Sequence, residues 1–471
     1  MKKRPNILLI TTDQQRFDTI NVLGNPHIRT PHLNWMHDRG ITFTRCYSDS
    51  PVCIPARTTI MTGQNAFRHG MTVNTVDPIP VDSARSLPGL LTQAGYQTRA
   101  QGKMHFEPRR CNYGFEHMEL LEDYYRYMAK HPHLGIPADH GLCQNELEPG
   151  ISTVSESNSL THWIVDRSVD FLETRDDTRP FFLWTSFSKP HPPLDPCANY
   201  WMLYQNADVP YPVHGDWSLT PDDVPTGMRA PTWRLNNCDR FSPELLRESK
   251  RAYYAVITQI DYNLGRLFAR LKELGLDDNT IIIFTSDHGE MLGDHHLGAK
   301  SCFLEGASHV PMLVYVPPAL KPVLPGGSHC DELVELTDVY RTCLGIAGAQ
   351  IPADHICDGL DLREIANGSV RRERFEGQCG THHAVIEGDI KYIYCEAGPV
   401  ELMFDLKNDP YEQHDLAHRD EHAELLKKMR QYLLNRLGVS ELPVVECLKE
   451  QDIRGFWPGF HSREQPGDVM H

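Results

Sequence analysis

Two aspartates stand where apolar runs end. Asn6-Ile-Leu-Leu-Ile-Thr-Thr12 leads into Asp13, and Thr280-Ile-Ile-Ile-Phe-Thr-Ser286 leads into Asp287. Open α/β sheets hold ligands just past the carboxyl ends of their parallel strands. Asp13 is placed for that role, or on position alone is a turn or cap aspartate. Four further segments carry side chains suited to nucleophilic, acid–base or electrostatic work. They are Ser50-Pro-Val-Cys53-Ile-Pro55-Ala-Arg57, followed by Thr62-Gly63; Gly95-Tyr96-Gln-Thr98, followed by Gly102-Lys103-Met104-His105; Ser188-Lys189-Pro190-His191-Pro192-Pro193; and Ser286-Asp287-His288-Gly289-Glu290, which runs on to Gly293-Asp294-His295-His296-Leu297-Gly298-Ala299-Lys300. Singly, each has a plain reading. Cys53 reads as a buried structural thiol beside a surface Arg57, Lys103 as a solvated lysine, His105 as a core histidine and His288 as a helix-start histidine. The histidines at 131, 133, 140, 295, 296, 382 and 383 read as packed or solvated, and Arg371, Arg372 and Arg374 as a solvated basic face.

The elements that must position these groups alternate. Asn6–Thr12, Tyr96–Ala100, Pro180–Ser186, Thr280–Ser286 and Val310–Val316 read as strands, and Leu87–Ala94, Asn158–Thr174 and Pro243–Leu274 as helices with apolar residues at helical spacing. This order predicts an α/β fold with helices on both faces of the sheet. Residues 107–157 and 191–240 are rich in Pro, His, Asn and Asp and show little periodicity, so they are expected to form long functional loops. From about residue 375 the pattern changes. His383–Glu387, Ile390–Cys395 and Leu402–Leu406 read as short antiparallel strands, followed by an amphipathic helix over Glu421–Leu437. The expected division is 1–374 for the α/β unit, 375–438 for a smaller α+β domain and 439–471 for an irregular tail.

Taken jointly, the segments resemble the sulfatase family. Cys53-x-Pro55-Ala-Arg57 with Thr62-Gly63 is similar to the family's maturation signature, in which the cysteine is oxidised to Cα-formylglycine. Gly95-Tyr96-Gln-Thr98 with Gly102-Lys103 and His105 resembles its second signature, Gln101 departing from the small residue usual there. Asp287-His288, Lys300, Val310-Pro311-Met312, His191 and the C-terminal Leu402-Met-Phe404-Asp405-Leu406, Asp409-Pro410 and Asp415-Leu416 complete a resemblance from residue 5 to about 437. It implies an alkaline-phosphatase-like fold, with a large mixed, mostly parallel sheet sandwiched by helices. It also implies hydrolysis of sulfate monoesters of a carbohydrate or small alcohol, a uronate 2-O-sulfate among the candidates, with release of inorganic sulfate. A phosphonate monoester or phosphodiester hydrolase built on the same site is the alternative.

The resemblance carries over Asp13, Gln14, Asp287 and His288 as metal ligands. Three oxygens and one nitrogen suit a hard divalent ion, Ca²⁺ first and Mn²⁺ or Mg²⁺ after it. Many relatives have a second Asp at Gln14 and an Asn at His288; fewer charges and a nitrogen ligand raise Mn²⁺. The implied nucleophile is a hydroxyl of the formylglycine hydrate made from Cys53. Arg57 and Lys103 would hold that diol and its charge, and His105 would act as base when sulfate is eliminated. His191 and Lys300 would serve the departing oxygen and, with Lys103, bind the sulfate. An enzyme that matures the Cys53 motif is an implied partner, as is a sulfated small molecule or saccharide.

Composition narrows the classes. The chain has 471 residues, 40% of them apolar and 23% charged, which is globular. Its formal charge of −17 disfavours nucleic-acid and anionic-membrane partners. Thirteen cysteines with no CxxC pair disfavour a disulfide framework and a structural zinc module. No secretory leader or membrane span is legible, so a cytoplasmic protein is expected, with assembly into oligomers left open.

Overall fold

The structure is a computed structural model, and it describes residues 4–229, 238–323 and 328–445. Eight strands form the large sheet: β1 Asn6–Asp13, β2 Gly40–Tyr47, β3 Gln97–Gly102, β4 His117–Leu120, β5 Phe181–Pro190, β6 Thr280–Ser286, β7 His309–Tyr315 and β8 Ser328–Glu335. Their order is β4-β3-β5-β1-β6-β7-β2-β8. β7 runs against its neighbours β6 and β2, and the other pairings are parallel. The expected mixed, mostly parallel sheet is therefore observed.

β1 shows why the central strands read as continuous apolar runs. Side chains alternate faces along a strand. Ile7 and Leu9 pack into a core shared with Ile54, Ile60, Leu87 and Leu344, whereas Leu8 and Ile10 pack into a second core with Leu33, Ile164, Ile260 and Leu264. Helices Cys53–Thr62, Leu87–Gln93 and Thr337–Ala347 thus cover one face, and Pro31–Arg39, Leu160–Thr174 and Pro243–Glu273 cover the other. Both faces are dry, so both must be apolar. No described helix is long and apolar enough to cross a membrane.

The C-terminal part forms an antiparallel sheet of β9 Arg374–Cys379, β10 His382–Glu387, β11 Ile390–Cys395 and β12 Val400–Asp405, backed by helix Ala423–Leu437. β9 escapes the sequence reading because its inward positions, Phe375, Gly377 and Cys379, include a glycine and alternate with Arg374, Glu376 and Gln378. The expected tail is described only to Val445, which bridges to Ala397; residues 446–471 lie outside the described residues.

Residues 107–157 are less irregular than expected. They contain β4 and a helix over Leu121–Lys130 that buries only Tyr124 and Met128. A one-sided stripe of two residues is too narrow for periodicity to betray it. Likewise 191–240 contains helix Ala198–Tyr204. Arg371, Arg372 and Arg374 are paired: Arg371 with Glu332, Arg372 with the buried carboxylates Glu335 and Asp338, and Arg374 with Glu376.

Candidate active site

The carboxyl ends of β1 and β6 lie side by side, with Thr12 in register with Ser286, so Asp13 and Asp287 emerge together. Both are fully buried, as are His288 and Arg57. Opposite them begins helix Cys53–Thr62, all ten residues of which are buried, with Cys53 in its first turn. Residues four apart share a helix face. Cys53 and Arg57 therefore both point at the strand ends.

Cys53 Sγ lies 3.2 Å from His288 Nε2 and 3.8 Å from Asp13 Oδ1. The ligand atoms of Asp13, Cys53, Asp287 and His288 all fall within 4.8 Å of one another. Buried carboxylates clustered with an imidazole need compensating positive charge. Part of it is supplied by the chain. Arg57 Nε donates to Asp287 Oδ2 at 2.8 Å and its Nη2 to Asp13 Oδ2 at 3.2 Å, and Lys103 Nζ lies 2.7 Å from Asp13 Oδ2. Arg57 Nη1 also donates to Ser186 Oγ at 2.9 Å and to the Lys103 carbonyl at 2.5 Å. The guanidinium thus clamps both carboxylates and joins them to Ser186 on β5. The donor set, two carboxylates, one imidazole and the neighbouring Gln14 amide, suits a divalent cation.

The electrostatics follow from these contacts. Burial pushes Asp13 up, but Lys103, His191, Arg57 and His288 outweigh it and hold the carboxyl well below its usual range. Burial and the neighbouring Asp13 raise Asp287. Burial and Asp13 raise the Cys53 thiol, yet Lys300, Lys103 and His288 pull it well below its ordinary value. Position 53 therefore sits in a field that favours negative charge, to which the helix N-terminus adds.

Lys300 and His191 meet beside Gln14. Lys300 Nζ donates to His191 Nε2 at 3.0 Å and to Gln14 Oε1 at 2.5 Å, and His191 Nδ1 bonds the Pro192 carbonyl at 2.7 Å. A carbonyl only accepts, so Nδ1 carries the proton and Nε2 receives Lys300. Burial, Lys300 and Lys103 hold His191 well below its ordinary value, hence neutral. His105 is set apart: its backbone is left-handed at φ 58°, its Nδ1 is buried without a hydrogen-bond partner, and among the described residues no hydrogen bond joins it to Cys53. It lines a cavity of about 140 Å³ with Lys103, Phe106, Tyr125, Lys189 and His191.

The expected residues thus fall in one place, His105 alone among them lining the cavity with its buried Nδ1 unpartnered. The sequence reading assigned no role to Ser186, Tyr253 or Glu290. Ser186, inside β5, receives Arg57. Tyr253 Oη donates to the Gln14 carbonyl at 2.5 Å and accepts from Arg16 N at 3.0 Å. Glu290 lies within the Ser286–Lys300 segment, and its spacing three residues after Asp287 is the signal that could have found it. Of the other histidines, His140 pairs with Asp195, and His382 and His383 are buried against the Gly227 carbonyl and Glu396.

A family model described as Sulfatase matches residues 5–349. An arylsulfatase of Clostridium perfringens is 33% identical over 468 residues, covering 92% of this chain and 94% of its own. A choline-sulfatase of Rhizobium meliloti is 30% identical over 447 residues, covering 88% and 82%. The fold is similar to the crystal structure of the phosphonate monoester hydrolase of Agrobacterium radiobacter, with a TM-score of 0.77 at 23% identity over 92% of this chain and 96% of that one.

Proposed function

The chain belongs to the sulfatase family and is a sulfuric ester hydrolase; on that footing we propose that it cleaves sulfate monoesters of a carbohydrate or small alcohol through a formylglycine made from Cys53. The observation that carries this reading is the placement of Cys53 in the first turn of a buried helix, 3.2 Å from His288 and within the Asp13–Asp287–His288 cluster. A structural thiol has no need of such surroundings.

Asp13, Gln14, Asp287 and His288 would hold a divalent cation, which would polarise the sulfuryl group and lower the pKa of the attacking hydroxyl. Conversion of Cys53 by a maturation enzyme would give position 53 two hydroxyls, one to attack sulfur and one to lose its proton as sulfate departs. The chain's own residues do the rest. Arg57 fixes the two carboxylates. Lys103 and Lys300 offer ammonium groups to the sulfuryl oxygens, preorganised because Asp13 and His191 already hold them. Neutral His191 leaves the transferable proton on Lys300 Nζ, the donor available to a departing alcohol oxygen. His105, in the cavity wall, is the proposed base of the second step. The cavity beside Lys103 combines aromatic and polar walls, which suits a sugar or small alcohol.

The test has two parts. The mass of the Cys53 peptide from the native host reports conversion of CH₂SH to CHO; an unmodified thiol in active protein overturns the nucleophile. Rates on aryl sulfate, phosphate monoester, phosphodiester and phosphonate ester are then compared, with sulfate expected to lead. A large preference for the phosphorus diesters assigns the site to the alternative chemistry instead.

A further inference from the structure

Glu290 is fully buried and lies against Gln14. Its Oε1 accepts from Leu292 N at 3.0 Å and Ala299 N at 2.5 Å, closing the base of the loop whose next residue is Lys300. Its Oε2 accepts from Gln14 Nε2. The other end of that amide, Oε1, receives Lys300 Nζ at 2.5 Å.

The two ends of a glutamine amide look alike in shape, so their chemistry must assign them. Here the partners leave one solution. A carboxylate only accepts, and Leu292 N and Ala299 N already donate to Oε1, so the NH₂ group of Gln14 must face Oε2. An ammonium only donates, so the oxygen must face Lys300. Reversal would set a carbonyl against a carboxylate and an NH₂ against an ammonium, two repulsions in a dry site.

We propose that Glu290 is a positioning residue that orients the Gln14 amide, so that an oxygen rather than an NH₂ faces the side of the site where Lys300 and a divalent cation are held. The same carboxylate sets Lys300 through the Leu292–Ala299 loop. It thereby fixes the ammonium that contacts His191. The inference rests on the reading of Asp13, Gln14, Asp287 and His288 as a metal site, and it accounts for a neutral amide at position 14. An acidic side chain there would face Glu290 across a hydrogen-bond distance.

Exchanging the two side chains tests this. Glu290→Gln keeps the shape but offers Gln14 an NH₂ where it met an oxygen, so the Gln14 amide turns and presents its own NH₂ to Lys300 and the cation. Calorimetric titration of chelator-stripped protein with Ca²⁺ and Mn²⁺ should then show a loss of about 10- to 100-fold in affinity, the usual effect of removing a ligand's orienting partner. Adding Gln14→Glu restores a donor–acceptor pair with the roles reversed. The double variant should return to within about threefold of the native affinity, whereas Gln14→Glu alone should weaken binding or leave it unchanged, the non-additivity expected of two side chains in contact. If Gln14→Glu has the same effect in both backgrounds, the inference falls. If Glu290→Gln does not fold, the double variant decides: its folding supports the reciprocity, while its failure beside a folded Gln14→Glu single variant makes Glu290 a loop support only. A native protein that takes up neither metal overturns the metal reading and this inference with it. Native uptake without coupling overturns this inference alone.

Discussion

At the residue scale, the site concentrates charge that only function explains. Two buried carboxylates, two ammonium groups, one guanidinium and two imidazoles surround a single sulfur atom. Replacing Cys53 by alanine removes one sulfur from a rigid helix turn. Turnover should drop on the order of 10⁴-fold or more, as for other lost nucleophiles, with melting close to native. Retained activity in a steady-state assay would make Cys53 structural. Lys300→Ala removes the proposed proton donor while leaving Arg57 and the carboxylates in place. It should slow alkyl sulfates by roughly 10²–10⁴-fold and nitrophenyl sulfate far less, because a good leaving group needs no proton. Equal losses on both substrates would assign Lys300 to sulfate binding alone. Three backbone positions near the site, Gln14, His105 and Ala299, are left-handed at φ 71°, 58° and 61°. Each costs on the order of 1 kcal/mol and persists because the surrounding packing dictates it.

At the scale of elements, two buried ionic networks join the parts of the fold. Lys391 on β11 reaches Glu305 and Glu412 Oε1, at 2.5 and 2.9 Å, and Glu305 also holds His309 at the start of β7 at 2.5 Å. The lysine is one link between the small sheet and the large one, beside the shared apolar core of Tyr47, Leu333, Phe375 and Ile393. Lys391→Met would strand two carboxylates and should destabilise by about 3–5 kcal/mol, the usual consequence of breaking a buried pair from one side. A denaturant titration checks it, and a change under 1 kcal/mol contradicts it. The second network places Glu335, the last residue of β8, and Asp338 around the single Arg372. One arginine cannot neutralise two buried carboxylates. Burial, with Asp338 adding to it, therefore pushes Glu335 up to about 8 from an ordinary 4.5. The folded state keeps its proton where the unfolded chain has lost it. Stability from this group is full below about pH 4.5 and declines as pH rises toward 8. Glu335→Gln should flatten that decline in melting curves across this window, and an unchanged slope would show that Glu335 is ionised in the fold.

At the scale of the whole molecule, the net charge of −17 is the wrong measure of what this protein binds. The field at Cys53 is set locally by Lys103, Lys300 and His288, which outweigh burial and Asp13, in a medium that screens poorly. A divalent cation would complete that field. Removing it should lower the melting temperature, and restoring it should raise stability by about 2.7 kcal/mol at a hundredfold excess over its dissociation constant. Melting and activity indifferent to exhaustive chelation would contradict a metal site.

Much of this was legible in the sequence, for a physical reason. The central strands are dry on both faces, so Asn6–Thr12 and Thr280–Ser286 had to be unbroken apolar runs, and the aspartates that follow mark their carboxyl ends. The Cys53, Lys103, His191 and Asp287 segments are local motifs and could be read one by one. Elements with a thin buried edge, such as β4, β9 and the Leu121–Lys130 helix, left no periodic trace. What tertiary structure alone decided is which donor meets which acceptor. Gln14 lies 276 and 286 residues from Glu290 and Lys300, and although the motifs put these residues in one region, nothing along the chain says which of their atoms meet. Their hydrogen bonds exist because β1 lies beside β6 and the loop after β6 folds back over both. Directional contacts of this kind depend on the closing of the sheet, whereas burial leaves its mark on every residue of a strand.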